Sequence, residues 1–396
     1  MRIIRKIKYV GFGSILAAAA FGLIAAPPSA MAQEFTIGVI NAMTGVGADL
    51  GIASRQGVEP FVEEINRAGG INGMKLNVIF RDDESNPQKG VTAANELIQR
   101  YRVNMIMGTN LTNVATAVTP VVNQAKIPFM TMATGSALID PQKFPYSFRT
   151  NIPTALEAKN LVNYAVSQGK SKKFGLMVDT TALGQAGADA IRNALKTHNL
   201  EPVAYEPFNP ADTDLSPQGF RLQKAGVDTL FVWSNGVQLA HATRSFERIG
   251  FDPHVLGGFG THQEAFIKLA GPIAKTWAAT MYRGTTRSDT EPPSAEVVAY
   301  FAKLKTRYGD KLTSSIYLAA MWDDMLRIVV AAATRSKGKD ADSLKAALEG
   351  TKNFKGLMST YSFSPTIHDG IDPKGATIAY VLGVQEFIRR RVPGMP

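Results

Sequence analysis

The sequence predicts an α/β protein of two lobes, each a doubly wound parallel sheet with helices on both faces. Three observations predict this. Short β-branched runs alternate with longer amphipathic ones from Glu34 onward; the rhythm restarts after Arg149; and the last third carries long helices with too few strands for a sheet of its own. Strands alternating with helices of this length build βαβ units, which pack as covered parallel sheets.

In the first block, Phe35-Thr36-Ile37-Gly38-Val39-Ile40 reads as a strand. Arg55 to Arg67 reads as a helix, because Val58, Phe61, Val62 and Ile65 share one face. Ala68-Gly69-Gly70-Ile71-Asn72-Gly73 is a double turn, glycine accepting positive φ. Strand Leu76–Arg81, helix Pro87–Tyr101, strand Val103–Met107, helix Asn113–Ala125 and strand Pro128–Met132 follow. The second block runs helix Thr154–Gln168, strand Lys173–Val178, helix Gln185–His198 and strand Pro202–Tyr205. It continues with helix Ser216–Lys224, strand Thr229–Trp233, helix Gln238–Ile249 and strand His254–Gly258. The third stretch holds helices at Ser294–Tyr308, Ser315–Thr334 and Ser343–Leu348, then a strand at Tyr380–Val384. It is expected to return to the first lobe before the tail rejoins the second.

The chain has 396 residues, 45% of them hydrophobic, and no cysteine. Disulfides, thiolate metal sites, cysteine nucleophiles and lipid attachment to cysteine are thereby excluded. Of the formal charge of +10, four bases (Arg2, Arg5, Lys6 and Lys8) head the N-terminus, with no acid before Glu34. An apolar run from Val10 to Ala26, the pair Pro27-Pro28 and then Ala30-Met31-Ala32 complete the pattern of a secretory signal, residues 1–32, cleaved after Ala32. At about 17 residues the run is shorter than the roughly 20 a membrane span needs. The product is expected in the periplasm. The other bases are scattered without interleaved aromatics, so no nucleic-acid partner is expected.

A reacting constellation is missing. The five histidines, His198, His241, His254, His262 and His368, form no HExxH pair; no serine sits in GxSxG; and there is no GxxxxGK[ST]. Gly45, Gly47 and Gly51 have the wrong spacing for a dinucleotide fingerprint. Asp82-Asp83-Glu84 reads as a solvated turn before Pro87, and Asp212-Thr213-Asp214 lacks the glycine and terminal glutamate of a calcium loop. No catalysis, metal or cofactor is expected.

Ligands bind open parallel sheets beyond the carboxyl ends of the strands. The loops there are Met43–Leu50, Thr109–Asn113, Ala133–Ser136, Thr180–Leu183, Ser234–Gly236 (with Asn235 at its centre) and Phe259–His262. The second opens a helix, whose free N–H groups and dipole suit a carboxylate; an N-cap role for Thr112 is compatible with that.

Asn41-Ala42-Met43-Thr44-Gly45, Asn66-Arg67-Ala68-Gly69-Gly70-Ile71-Asn72-Gly73, Arg81-Asp82-Asp83-Glu84, Asp214-Leu215-Ser216-Pro217-Gln218 and Lys224-Ala225-Gly226-Val227-Asp228 occur in this order. As an ordered set the chain resembles periplasmic receptors of the leucine/isoleucine/valine-binding type over nearly its whole length after the signal. The resemblance implies a type I periplasmic binding fold, with three crossovers near Asn151, Thr280 and Ala376. The lobes would then be 33–152 with the return 280–376, and 153–279 with the tail 377–396. It also implies a monomer that delivers a small molecule to an ABC-type permease in the inner membrane.

In such receptors the α-carboxylate is held by loops corresponding to Leu111, Thr112 and Asn113, and to Ala133, Thr134, Gly135 and Ser136. The ammonium is gripped by an aspartate and a glutamate whose positions here are Thr154 and Phe259, and an ammonium buried without a carboxylate costs several kcal/mol. Asp179 and Glu264 are the remaining carboxylates in reach. The relatives' tyrosines correspond to Leu50 and Leu183, and the cysteines of the family disulfide to Ser85 and Leu111.

The expected ligand is therefore a small carboxylic acid without an α-amine, its body against Leu183, Trp233 and Phe259. A benzoate or cinnamate derivative comes first, since aromatic rings stack on Phe or Trp, and an aliphatic acid next. Trp233 either faces this pocket or is core. His262 either bonds the carboxylate or faces solvent. Alternatives are a branched-chain amino-acid receptor, a receptor for an amide or urea, a sensor for a membrane receptor, and an exported enzyme.

Overall fold

The computed structural model describes residues 34–169, 172–312, 316–337, 340–381 and 389–395, without the side chains of Ser136 and Lys275. The expected signal segment, 1–32, lies outside the described residues. Among those described, no helix is long and apolar enough to cross a membrane.

The first sheet contains β1 (Glu34–Asn41), β2 (Lys75–Asp82), β3 (Met105–Gly108), β4 (Phe129–Thr131) and β5 (Ser147–Arg149), in the order β2-β1-β3-β4-β5 and parallel throughout. Ile37 stands opposite Val78 on one side and Met105 on the other. The central strands are apolar on both faces, as a sheet covered by α1 (Ala48–Arg67), α2 (Pro87–Gln99) and α3 (Thr112–Gln124) requires. Asn86 caps α2, its side chain accepting from the N–H groups of Gln88 and Lys89. The turn before β2 is as expected: Gly69, Gly70, Asn72 and Gly73 all have positive φ.

The second block contributes α4 (Thr154–Ser167), β6 (Phe174–Asp179), α5 (Ala182–Lys196), β7 (Ala204–Phe208) and α6 (Ser216–Lys224). It continues through β8 (Thr229–Trp233), α7 (Gly236–Ile249), β9 (His254–Gly257), α8 (Glu264–Ala270) and β10 (Ala278–Tyr282). A short parallel pair, β11 (Thr286–Arg287) with β15 (Arg389–Arg390), follows that sheet. Beyond it come α9 (Ala295–Tyr308), α10 (Ile316–Ser336), α11 (Ala341–Glu349) and the hairpin β12 (Phe354–Lys355) with β13 (Thr360–Tyr361). The last strand of the second sheet is β14 (Ala376–Tyr380), giving the order β14-β10-β9-β8-β6-β7.

That last strand begins four residues earlier than the sequence reading placed it and runs antiparallel to β10, burying Thr377, Ile378 and Ala379. Residues 382–384 of the expected strand lie outside the described residues. Strands β5 and β10 were not anticipated; β5 has only three residues, too few for a periodicity to show.

Helices α9 and α10 pack on the first lobe. The backbone of α10 approaches α1 so closely that a Cβ at Gly57 would stand 2.1 Å from the Ala319 carbonyl oxygen. The segments joining the two sheets are tied to one another. Tyr282 Oη donates to the Thr150 carbonyl (3.1 Å) or to Asn151 Oδ1 (2.9 Å), and Thr280 Oγ1 to the Glu157 carbonyl (3.2 Å). Arg149 is fully buried beneath this junction. Its Nε meets Asp369 at 2.5 Å, and Nη1 donates to the carbonyls of Gly135 (2.9 Å) and Ala133 (3.3 Å).

Candidate functional site

Between the two sheets lies a cavity of about 360 Å³, at the small end of the ~300–1,000 Å³ typical of ligand pockets. Its first wall is Val46, Ser85, Asn110–Asn113 and Thr134; its second is Thr181, Leu183, Pro210, Ala211, Asn235, Gln238, Phe259 and Gln263. Most of these residues follow directly on strand ends: Asn110 after β3, Thr134 after β4, Thr181 after β6, Asn235 after β8, Phe259 after β9. The cavity thus occupies the position where parallel sheets bind ligands.

Helices α2, α9 and α11 are capped by Asn86, Ser294 and Asp340, whereas α3, α5 and α7 begin at the cavity without a side-chain cap. In α7 the N–H of Gly236 is taken by Gln263 Oε1 at 2.6 Å. Among the described residues the start of α3 has no such partner side chain, and its first residues, Thr112 and Asn113, line the cavity. The loop after β1 is organised by Asp82, which accepts from the N–H groups of Met43 (2.8 Å) and Thr44 (3.3 Å) and from the Thr44 hydroxyl (2.8 Å). Ser85 accepts from the Gly47 N–H and donates to the Thr44 carbonyl, each at 3.1 Å.

All fifteen lining residues are uncharged. Of the nearby carboxylates, Asp179 accepts from the Thr181 N–H at 2.9 Å and from the hydroxyls of Thr181 and Ser234, while Glu264 pairs through Oε1 with Lys268 at 3.2 Å and its buried Oε2 meets no partner among the described residues. Burial raises the Glu264 carboxyl above its ordinary range, with Lys268 opposing.

Of the residues singled out in the sequence, Leu111, Thr112, Asn113, Thr134, Leu183, Asn235 and Phe259 line this cavity. Ala133 and Gly135 lie behind the wall, Gly135 packed so that a Cβ would stand 2.8 Å from Thr112 Cγ2. The side chain of Ser136 is outside the described set. Thr154 turns inward, its N–H (3.1 Å) and hydroxyl (3.0 Å) both donating to the Thr134 carbonyl.

His262 is neither at the cavity wall nor in solvent. It stacks on Tyr317 of α10 at 4.8 Å, with Phe259 edge-on at 5.5 Å, and burial with the nearby Arg389 pushes its pKa down to about 3. The ring is a neutral part of the junction. Trp233 is core: a Cβ at Gly187 or Gly258 would stand 2.3 or 2.4 Å from its indole. Leu50 is buried away from the cavity, its carbonyl accepting from Asn41 Nδ2 at 3.0 Å.

The sequence reading did not single out the amides Asn110, Gln238 and Gln263. Asn110 stood inside a flagged loop; Gln238 and Gln263 lie just beyond two others and carry no pattern of their own.

A larger, open groove of about 880 Å³ runs between Arg283, Tyr300, Arg327 and Lys355. It shares no lining residue with the cavity between the sheets, and Arg283 and Arg327 are paired with Glu291 and Asp323.

Comparison with known proteins decides the family. Residues 34–381 match the family described as periplasmic binding protein. This chain belongs to the periplasmic binding protein family. It is a solute-binding protein, of a family that binds and does not catalyse. "Leu/Ile/Val-binding protein homolog 3" of Brucella melitensis is 27% identical over 353 residues, 89% of this chain and 93% of that one. The branched-chain amino-acid binding protein LivJ of Streptococcus pneumoniae, solved with isoleucine, superposes with a TM-score of 0.79 at 23% identity, covering 92% of this chain and all of that one. A solute-binding protein of an ABC transporter from Rhodopseudomonas palustris, solved with 3,4-dihydroxybenzoic acid, superposes with a TM-score of 0.77 at 25% identity, covering 89% and 94%. These similarities make the fold that of type I periplasmic binding proteins.

Proposed function

We propose that this chain is the periplasmic substrate-binding component of an ABC importer, and that it holds a small carboxylic acid without an α-amino group, an aromatic acid before an aliphatic one. The observation that carries this is the uncharged wall: fifteen lining residues offer amides, hydroxyls and apolar groups to a ligand, and no carboxylate to an ammonium. An amino acid enclosed here would bury its ammonium against neutral groups, at a cost of several kcal/mol. A carboxylate meets the uncapped start of α3, and Leu111, Leu183 and Phe259 suit an apolar ring. The Rhodopseudomonas palustris neighbour with 3,4-dihydroxybenzoic acid supports an aromatic acid, and the relatives named for leucine, isoleucine and valine support the competing reading.

Binding is the whole of the mechanism. The lobes, 33–152 with 280–376 and 153–279 with 377–396, pivot at the crossovers near Asn151, Thr280 and Ala376. Ligand seated on α3 recruits the wall built by α5, α7 and Phe259, shifting the population towards a closed form that a permease recognises. The chain acts as a monomer.

A thermal-shift and calorimetric panel tests the reading, setting leucine, valine and phenylalanine beside benzoate, 4-hydroxybenzoate, coumarate and aliphatic acids. Ligand at a hundred times its Kd adds about 2.7 kcal/mol of stability. The acids are expected to shift the melting curve and the amino acids not to. A shift with leucine or valine alone would overturn the assignment and point to Glu264 or Asp179 as the amine's partner.

A further inference from the structure

Among the described residues lining the cavity, three buried side chains have polar atoms that meet no partner. Two are on the first wall: Asn110, 5% exposed, with both Nδ2 and Oδ1 unmatched, and Thr134 with its hydroxyl unmatched. The third is on the opposite wall, where Gln238, 6% exposed, has an unmatched Oε1. Buried polar atoms in native proteins are nearly always satisfied, so unmatched ones in a ligand cavity mark where ligand atoms belong.

The Gln238 amide cannot simply be turned over. Its Nε2 donates to the Pro210 carbonyl at 3.0 Å. That carbonyl sits in a closed turn: Ala211 N–H donates to Asn209 Oδ1 (2.9 Å), Asp212 N–H to the Asn209 carbonyl (2.9 Å), and Asn209 N–H to Asp212 Oδ2 (3.1 Å). Reversal would set two carbonyl oxygens against each other at that distance. The atom left over is therefore an acceptor. Thr181, on the same wall, gives its hydroxyl proton to Asp179, which leaves its oxygen an acceptor as well. Gln263 adds nothing free: its Oε1 holds the Gly236 N–H and its Nε2 reaches Asn235 Oδ1 at 3.4 Å.

The two walls thus differ in polarity. The first offers donors from the start of α3 and Asn110 Nδ2 beside the acceptor Asn110 Oδ1 and the Thr134 hydroxyl; the unmatched side-chain atom of the second, Gln238 Oε1, can only accept. We infer that the ligand is a hydroxylated acid whose hydroxyl lies remote from the carboxylate and donates to Gln238 Oε1. This rests on the acid reading above and specifies the far end of the molecule. The hydroxyl ties the ligand to the second wall, so it bridges the lobes. An ammonium does not fill the same role, since the wall has no carboxylate to neutralise it.

Calorimetry with benzoate, 4-hydroxybenzoate and 4-methoxybenzoate tests this. The hydroxyl is expected to bring about a tenfold gain in affinity over benzoate; the methoxy group, nearly as large but without a proton to donate, brings none. Gln238→Met should abolish the gain, so that 4-hydroxybenzoate binds the variant no more tightly than benzoate does, and a cooperative melting curve shows the variant to be folded. Equal affinity for benzoate and 4-hydroxybenzoate, or a gain that survives Gln238→Met, would overturn the inference while leaving the acid reading in place. If Gln238→Met does not fold, the wild-type series decides. Binding of leucine with none of the three acids would remove both.

Discussion

Arg149, at the base of the junction between the lobes, and Gln238, in the cavity wall, are both buried polar side chains, but they are held differently. Arg149 carries a full charge and is clasped by Asp369 and the carbonyls of Ala133 and Gly135, with only its Nη2 meeting no partner among the described residues. Around it the junction collects other ionisable groups. Burial holds the Glu157 carboxyl well above its ordinary range, with Arg149 opposing, and pushes Asp324 up to about 7 although it accepts from the N–H groups of Leu357 and Met358 and from Tyr361. The cavity has no charged side chain, and its polar atoms are left partly free. The contrast has a physical reason. A buried charge is tolerable only with partners that never leave, whereas a site that fills and empties must survive without its ligand. A free neutral amide costs about 1–3 kcal/mol, a free buried charge several times more.

The contrast can be broken most forcefully at Arg149. Arg149→Met strips a buried cation from Asp369 and leaves two loop carbonyls without their donor. It should cost about 3–5 kcal/mol in denaturant unfolding. Acid binding should weaken with it, because Ala133 and Gly135 back the start of α3.

Gly187→Ala probes the core behind the second wall. The new Cβ must displace the Trp233 indole, an overpacking cost of about 1–3 kcal/mol in Tm-derived stability. Because Trp233 is core, the Kd for the acid should change far less than the Tm.

The smallest effect sharpens the comparison through pH. Burial, with Asp82 nearby, pushes the Asp83 carboxyl up to about 6 from an ordinary value near 3.8. The folded chain therefore holds this proton more tightly than the unfolded one. The contribution is fully present below the unfolded value, declines as pH rises towards 6, and is lost above it. One oxygen of Asp83 accepts the Ser85 N–H at 2.9 Å and the other meets nothing. Asp83→Asn keeps the bond and removes the charge. Stability at pH 8 should rise by on the order of 1–2 kcal/mol, and its decline between pH 4 and 6 should become shallower. Urea unfolding across that range checks both.

Much of this architecture was legible in the sequence because it is periodic. The faces of α1 and the apolar runs of β1 and β8 can be read from one residue to the next, and parallel sheets fix where the ligand loops must lie. The walls were legible only where a motif or loop announced them, as at Leu111–Asn113 and Phe259. Gln238 was not, because its importance depends on the Pro210 carbonyl, 28 residues away in sequence. His262 shows the opposite failure. Its loop was the right one, but packing against Tyr317, from a helix far along the chain, turned the ring into the junction. Trp233 could be settled as core only once Gly187 and Gly258 were seen on either side of it.

The uncharged wall has one more consequence. None of its residues titrates near neutrality, so on the proposed site the affinity follows the ionisation of the ligand alone and stays level from about pH 6 to 9. Salt has little to act on either, since screening weakens pairs of exposed charges and the closed cavity offers the ligand dipoles instead. A receptor built this way reports how much of its ligand is present, without also reporting the acidity or salinity of the water that carries it.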